Sequence, residues 1–240
     1  MRITIACFAL LTTCAPVASA QQAAPRNPCS VDSMNSEPIR LYLSPIRIDS
    51  GYRLTPNGYS GATHVGQTVD FTEHTDSARV IAVLGVPTRR IDTWNAVQFV
   101  SPPLAGPFDL SGFFSGQLEF ITNKQDFDFQ ISLYELTPNG DYVLSSVYST
   151  QTIPPRTPEP RVPMQQKIRQ YRDYASACFP KRLIQNGSRL VVLLTIPKPH
   201  DDASSVARRD VSDSTLGDPN EPLKISWYGD SYIELRVRHH

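Results

Sequence analysis

The chain has 240 residues, with 23 basic and 23 acidic side chains and therefore no formal net charge. A neutral balance without a run of Lys or Arg makes neither nucleic acid nor an anionic membrane surface an expected partner. A chain of this length buries about 70% of the surface that its unfolded form exposes, so it can fold without a metal ion or a dense disulfide framework.

The first twenty residues have the features of a secretory signal peptide. An Arg near the start precedes an apolar run, Ile3–Leu11, and Ala18-Ser19-Ala20 supplies a cleavage site of small residues. The apolar run is too short to span a bilayer as a helix. We therefore expect no membrane span and an exported protein, periplasmic or extracellular, cleaved near Ala20. Lipid attachment at Cys14 is the alternative.

The remaining chain is expected to form one domain. Residues 21–35 are polar and predict a loose N-terminal arm, whereas residues 36–240 contain no long Gly/Ser linker, which favours a single folded unit. Signal removal leaves two cysteines, Cys29 and Cys178. We expect them to form a disulfide in an oxidising compartment; two unpaired thiols are the alternative.

Strand signals begin soon after the arm. Leu41 and Leu43 form the first alternating pair, and residues 55–76 are polar and predict a loop. Residues 79–86 are rich in Val, Ile and Leu, which predicts a buried strand ended by Pro87.

The central region gives the clearest β pattern. Phe127, Phe129, Ile131 and Leu133 alternate with polar residues, which predicts a strand with one buried and one solvated face. Residues 136–142 then combine Pro, Asn and Gly between two apolar runs, which predicts a hairpin turn.

The C-terminal third follows a proline-rich segment, 153–163, that predicts an extended surface crossover. Residues 189–196 are almost entirely Val and Leu and predict a central strand buried on both faces. Residues 201–221 predict a long polar loop, which is a candidate site by its position. Helical spacing predicts one short amphipathic helix across Met164, Ile168, Tyr171, Ala175 and Cys178.

The sequence offers no recognisable catalytic nucleophile. A serine acyl hydrolase on an α/β fold presents its Ser in a Gly-x-Ser-x-Gly turn. The two similar segments, at 58–61 and 112–116, have the wrong spacing. We therefore assign no catalytic residue and expect no cofactor.

Two polar clusters could hold a cation, but neither has a recognised ligand spacing. His64 and His74 lie near three carboxylates, and His200 precedes Asp201 and Asp202. Solvent-exposed loop residues are the alternative in both places, and we assign no metal site.

Binding candidates come from two groups of side chains. Asp126 and Asp128 lie on the polar side of the predicted strand, where structural hydrogen bonding to loop amides is the alternative role. Trp227, Tyr228 and Tyr232 have the rings needed to stack on a sugar, and a partly buried aromatic edge is the alternative.

Several of these segments occur in an order that has a family resemblance. An ordered series over about fifty residues comprises Phe99-Val100-Ser101-Pro102-Pro103-Leu104, Asp109-Leu110-Ser111-Gly112, Asp126-Phe127-Asp128, Leu133-Tyr134-Glu135-Leu136 and Pro138-Asn139-Gly140. Leu183–Leu190 and Ile225–Val237 continue it further along the chain. Together these segments span most of 36–238, which resembles the C-terminal β-domain of Xaa-Pro dipeptidyl-peptidases and cocaine-esterase-type acyl hydrolases. The chain departs from the family pattern at Ala207–Ser212, where the family has an Asn-Tyr-Gly-like run.

The resemblance implies an all-β protein, a jelly-roll β-sandwich of galactose-binding-like type, to which the spacing above adds one short peripheral helix. In the family the catalytic triad belongs to a preceding α/β-hydrolase domain, so the resemblance implies a module without catalytic machinery. We therefore predict an accessory or binding module whose partner is a separate α/β-hydrolase, a glycan or a peptide. The alternatives are serine hydrolase activity, as the family name implies, and a structural protein without a ligand.

Overall fold

A computed structural model of the chain describes residues 36–59, 61–69, 82–124, 127–150, 167–197 and 221–239. These ranges are all-β, and they contain no helix of the length and apolar character needed to cross a membrane. Their fourteen strands are β1 (Glu37–Ile48), β2 (Gly51–Thr55), β3 (His64–Val69), β4 (Pro87–Thr88), β5 (Ala96–Val100), β6 (Phe108–Gly112), β7 (Ser115–Thr122), β8 (Gln130–Leu136), β9 (Tyr142–Ser149), β10 (Gln170–Ala175), β11 (Phe179–Ile184), β12 (Arg189–Thr195), β13 (Leu223–Tyr228) and β14 (Tyr232–His239).

One layer of the sandwich, which we call sheet I, is built from antiparallel strand pairs. β13 and β14 run in the same direction and are separated only by residues 229–231, and β6 and β7 pair along one side of them. β10 and β11 pair with the opposite side of β7 and β6. β3 and the first half of β1 pair with the far side of β13 and β14.

The second layer, sheet II, is centred on β12, which pairs with both β5 and β8. β9 follows β8, and β4 pairs with the outer side of β9. On the other flank, β2 pairs in parallel with β5, and the second half of β1 pairs with β2. β1 therefore pairs within both layers and connects them.

The main hydrophobic core lies between the sheets. Phe99 and Leu133 contribute from sheet II and Phe120 and Trp227 from sheet I, and all four are almost completely buried. Burial of side chains of this size stabilises the fold by about 1.5–3 kcal/mol each. The predicted β-sandwich is confirmed, as is the alternation from Phe127 to Leu133 on its inner face.

A smaller core covers the outer face of sheet II. Val191 and Leu193 of β12 are buried there, against Ala82 and Ile91 of the segment before β5. β12 is therefore a central strand buried on both faces, as predicted. The same cover also buries the outer side of β8, including Ser132, so the prediction of a solvated face on that strand is wrong.

The predicted helix at 164–178 is a second correction, because residues 170–175 form strand β10. Tyr174 points into the core while Tyr171 and Asp173 remain exposed, which is the alternation of an edge strand. The backbone of β7 supplies the hydrogen bonds for this strand, with Tyr171 opposite Glu119. Pairing with an open sheet edge overrides the helical spacing of the apolar residues. Met164 lies outside the described residues.

Two further predictions fail between β2 and β5. Val83, Leu84 and Val86 are more than half exposed, so the described part of 79–86 is not a buried strand. The chain there makes a single bridge, from Leu84 to Leu144, and Pro87 begins β4 instead of ending a strand. The predicted loop at 55–76 contains β3, which pairs with β13.

Candidate functional site

The structure gives Asp128 a local structural contact. Its Oδ1 accepts a hydrogen bond of 2.8 Å from Thr150 Oγ1, and the same hydroxyl oxygen accepts one of 3.0 Å from Phe129 N. These bonds hold the entry of β8 against the end of β9. Asp126 lies outside the described residues, so the predicted binding role of this pair is still a prediction.

The three aromatic candidates lie on opposite sides of sheet I. Trp227 is only 1% exposed and packs in the core, where its Nε1 donates a hydrogen bond of 2.8 Å to Gln67 Oε1. It is therefore a core residue and does not present a stacking surface, contrary to the prediction. Tyr228 and Tyr232 point outward, because they alternate with inward residues along β13 and β14.

Tyr228 and Tyr232 belong to a larger group, which we call the tyrosine face: Tyr42, Tyr59, Tyr171, Tyr228 and Tyr232 on the outside of sheet I. Tyr42 and Tyr232 are directly opposite in β1 and β14, with ring centroids 5.9 Å apart. Tyr171 is 62% exposed and Tyr59 is 39% exposed. Sequence reasoning missed three of these residues, although Tyr42 was signalled by its position between inward-facing Leu41 and Leu43.

Two arginines cover rings of the tyrosine face. The Cζ of Arg40 lies 4.1 Å from the centroid of Tyr232, and that of Arg169 lies 4.0 Å from the centroid of Tyr228. Hydrogen bonds to Glu234 and to Glu119 raise the pKa values of Arg40 and Arg169, respectively. A ligand that stacks on either ring at the covered side must displace a guanidinium held by a cation–π contact.

Arg169 connects the tyrosine face to a buried carboxylate. Its Nε donates to Oε1 of Glu119, its Nη2 to Asp230 Oδ2 at 3.2 Å and its Nη1 to Gly61 O at 3.1 Å. Glu119 is only 1% exposed. Hydrogen bonding to Glu119, and secondly the negative charge of that carboxylate, raise the pKa of the nearby Tyr171 phenol.

Glu119 nevertheless has hydrogen-bonding capacity left. Its Oε2 is buried and has no hydrogen bond of normal geometry within the described part of the chain. Buried carboxylate oxygens are ordinarily bonded, so an empty acceptor is an uncommon feature. The site can therefore accept one more donor beneath the exposed ring of Tyr171.

The support beneath the tyrosine face is tightly packed. The buried Tyr174 hydroxyl donates a hydrogen bond of 2.9 Å to Tyr232 O, and burial raises the pKa of this phenol. Gly116 lies beside this contact, where an added Cβ would be 2.0 Å from Tyr232 O. Only glycine fits at this position, so the backbone of β14 is held close to β7.

The residues considered for chemistry are not assembled into a recognisable centre. Ser115 begins β7, opposite Ala175 and Glu234, whereas His64 begins β3, opposite Tyr228. Within the described ranges, no group of three or more His, Cys, Asp or Glu side chains is placed to hold a metal ion. Ser60, His74 and residues 198–220, which include His200, lie outside those ranges.

The predicted disulfide falls partly outside the described residues. Cys178 lies in the short connection between β10 and β11, directly before Phe179. Cys29 belongs to the undescribed N-terminal region, so the pairing of the two cysteines is still a prediction.

Together, the fold and this face define a β-sandwich module with a charged, tyrosine-rich outer surface. No model of a protein family matches the chain, and no curated protein matches it at a significant level.

Solved structures do contain the same fold. An aminopeptidase from a marine sediment archaeon, Thaumarchaeota archaeon, superposes with a TM-score of 0.57 at 11% identity over 84% of this chain. An α-amino acid ester hydrolase gives 0.56 at 18% identity over 83%. A CocE/NonD family hydrolase from Staphylococcus aureus gives 0.56 at 14% identity over 85%.

Each of these proteins is much longer than the match. The chain spans 37% of the aminopeptidase, 36% of the ester hydrolase and 37% of the CocE/NonD hydrolase. At these identities the likeness concerns the fold alone. The described chain thus has the architecture of one part of larger hydrolase chains.

Proposed function

We propose that the chain is an accessory β-sandwich module, related to the C-terminal domain of Xaa-Pro dipeptidyl-peptidases, that works beside a separate α/β-hydrolase. The observation that carries the proposal is the match of 83–85% of this chain to little more than a third of three hydrolase chains. The ordered motifs from Phe99 to Gly140 support the same relationship from the sequence. In this proposal catalysis belongs to the partner.

The first experiment tests whether the module is itself an enzyme. Purified residues 21–240 are incubated with Xaa-Pro p-nitroanilides and short p-nitrophenyl esters, with and without a serine-directed sulfonyl fluoride. We expect no inhibitable turnover. Turnover that is abolished by the inhibitor and by Ser60→Ala or Ser115→Ala would instead establish the serine hydrolase alternative.

The second experiment tests the partner. Extract of the source cells is treated with a fluorophosphonate probe, which labels active serine hydrolases, and is then passed over immobilised residues 21–240. We expect a labelled hydrolase to be retained and to be released by free module in competition. Heat-denatured module on the same resin is the control. Retention of no labelled protein would favour the structural alternative.

Ligand binding on the tyrosine face is a second candidate function. It is favoured by the exposed ring of Tyr171 above the empty acceptor of Glu119. Such a surface suits a glycan, whose hydroxyls donate to carboxylates while its apolar face stacks on a ring; a peptide is the alternative ligand. A glycan array read with the native chain and with Tyr171→Ala tests it, with Tyr142→Ala as the matched variant on sheet II.

We also propose export after cleavage near Ala20 and a bond between Cys29 and Cys178. N-terminal sequencing of the protein secreted by its source cells tests the cleavage. Thiol titration of the unreduced, denatured protein tests the disulfide: no reactive thiol is expected, and two would exclude the bond.

A further inference from the structure

A second surface of the molecule has the features of a small-ligand site, and it lies on sheet II. A cleft of about 440 Å³ opens where the β1–β2 turn meets the residues after β5 and the start of β12. This volume is within the usual range for small-molecule sites. Its walls are formed by Ile48, Asp49, Ser50, Arg53, Val100, Ser101, Pro102, Pro103, Leu136 and Arg189.

The walls of the cleft are held in place by backbone contacts. Ser101 Oγ accepts a hydrogen bond of 2.9 Å from Leu190 N and donates one of 2.8 Å to Pro102 O. On the other side, Gly51 has φ +132°, and a Cβ there would be 2.5 Å from Gln98 O. The turn therefore packs directly against β5, and the cleft is largely preformed.

Two of the three charged side chains that line the cleft are arginines, and within the described residues neither is paired with a carboxylate. Arg189 donates from Nη1 to Ser101 O at 3.3 Å, which orients its guanidinium and leaves its other donors free for a ligand. The side chain of Arg53 makes no hydrogen bond or ion pair within the described ranges. Arg182 and Arg238, by contrast, are each committed to a buried carboxylate. Asp49 is the one acid in the lining.

The floor between the two arginines is apolar. Val100 is buried at its base, and Ile48 and Leu136 pack beside it as partly buried side chains. Pro102 and Pro103 form a stiff apolar rim, because the proline ring fixes φ. The cleft therefore combines two guanidinium groups with a hydrophobic surface.

We propose that this cleft binds a carboxylate carried on an apolar group. Arg53 and Arg189 receive the carboxylate, since the guanidinium fork matches its two oxygens, and the Ile48, Val100 and Leu136 surface receives the apolar group. This inference is independent of the hydrolase partner, because it depends only on the lining of the cleft.

The test measures binding by NMR of ¹⁵N-labelled residues 21–240, through the arginine Nε–Hε signals. One arm titrates octanoate and a second titrates N-acetylphenylalanine, which distinguishes a fatty acid from a peptide-like carboxylate. Octanamide and N-acetylphenylalanine amide are the neutral controls. We expect the acids, and not the amides, to shift the signals of Arg53 and Arg189 with a saturable dependence.

Variants decide whether the two arginines are responsible. Arg53→Gln and Arg189→Gln are each expected to weaken binding about tenfold, as loss of a charge-assisted hydrogen bond does. Asp49→Asn is expected to strengthen binding, and Arg90→Gln, an exposed arginine outside the lining, to leave it unchanged. The side chain of Arg53 has no hydrogen-bond or ion-pair partner among the described residues, so Arg53→Gln is expected to keep the fold. Equal binding of acids and amides, or unchanged binding by Arg53→Gln, would overturn the proposal.

Discussion

Two buried glutamates, one in each sheet, differ in how fully their oxygens are bonded. Glu135 of β8 is 2% exposed and accepts four hydrogen bonds. Arg182 donates to Oε2 from Nε at 3.1 Å and from Nη2 at 2.9 Å. Ser188 Oγ and Gln185 N donate to Oε1 at 2.7 and 3.3 Å. This carboxylate joins β8 to β11 and to the turn before β12.

Glu119 of β7 is as deeply buried, but within the described part of the chain Arg169 donates to its Oε1 and no donor is placed at its Oε2 with normal hydrogen-bond geometry. The difference shows which carboxylate has both oxygens hydrogen-bonded and which still has an oxygen available to a ligand. A carboxylate with all its acceptor positions filled stabilises the fold and can offer nothing to a ligand. One with an empty oxygen, beside an exposed ring, can still take a donor.

The largest effect is expected from Arg182→Ala. It leaves Glu135 buried without its counter-charge, which costs about 3–5 kcal/mol of stability when a buried pair is broken. Urea unfolding of the variant and the native chain measures the difference. Arg89→Ala, which breaks an exposed pair with Asp141, is the control and is expected to cost less than about 1 kcal/mol. A loss of stability for Arg182→Ala as small as that for the control would show that Arg182 is not needed to stabilise the buried Glu135.

Arg169→Ala is expected to follow with a loss in the same range, about 3–5 kcal/mol, because it also leaves a buried carboxylate, Glu119, without its counter-charge. The same unfolding experiment measures it. The variant also uncovers the ring of Tyr228, so binding to the glycan array is expected to change with Arg169→Ala and not with Arg182→Ala. A loss below about 1 kcal/mol, the size expected for an exposed pair, would contradict the role of Arg169 as the counter-charge of Glu119.

Tyr174→Phe removes one buried hydrogen bond beneath the tyrosine face, to Tyr232 O, and is expected to cost about 1 kcal/mol. Denaturant unfolding near neutral pH measures this loss. No change in stability would mean that this bond does not support the face.

The same residue predicts a pH dependence. Burial raises the pKa of Tyr174 in the folded state, so the unfolded chain loses this proton first, near pH 10. Stability contributed by the buried neutral phenol is therefore complete below about pH 10 and falls above it, by about 1.4 kcal/mol per pH unit. Unfolding between pH 9 and 11 measures the slope, which Tyr174→Phe is expected to reduce. If the slope of stability against pH is the same in the variant, the pH dependence arises from other groups.

The smallest effect is expected from Arg40→Ala, below about 1 kcal/mol, because its pair with Glu234 is substantially exposed. Comparison with Arg169→Ala in thermal unfolding separates an exposed arginine over a ring from one that neutralises a buried charge. A loss for Arg40→Ala above that of Arg169→Ala would contradict this ranking.

Much of the fold was predictable because the core signal is local. The alternation from Phe127 to Leu133, the Pro-Asn-Gly turn and the apolar run of β12 each specify their structure within a few residues. The helix prediction failed around Tyr171 because the apolar residues there fit both a helical and a strand periodicity. Pairing with the edge of β7 decides in favour of the strand. Residues 82–86 failed because an apolar run can also lie across a sheet and leave its own side chains exposed.

The site was less predictable because its members are distant in the sequence. Tyr228 and Tyr232 were chosen as rings, but the arginines that cover them come from β1 and from the residue before β10. Trp227 was chosen with them, but it faces the core whereas the next residue, Tyr228, faces outward. Glu119 carried no signal, since a single acid in a strand does not show whether its partners fill both oxygens.

The pairing of the first strand with the last limits when the molecule can fold. Glu37 lies opposite Val237 and Tyr42 opposite Tyr232, so β1 finds its neighbour in sheet I only after all the intervening strands, β2 to β13, have been made. Contacts this far apart in sequence form slowly, and until they do the edge of the nascent sheet is open to other chains. Until β14 is available, then, β1 is a strand with an unpaired edge that needs protection, and pairing of β1 with β14 is the event that completes sheet I.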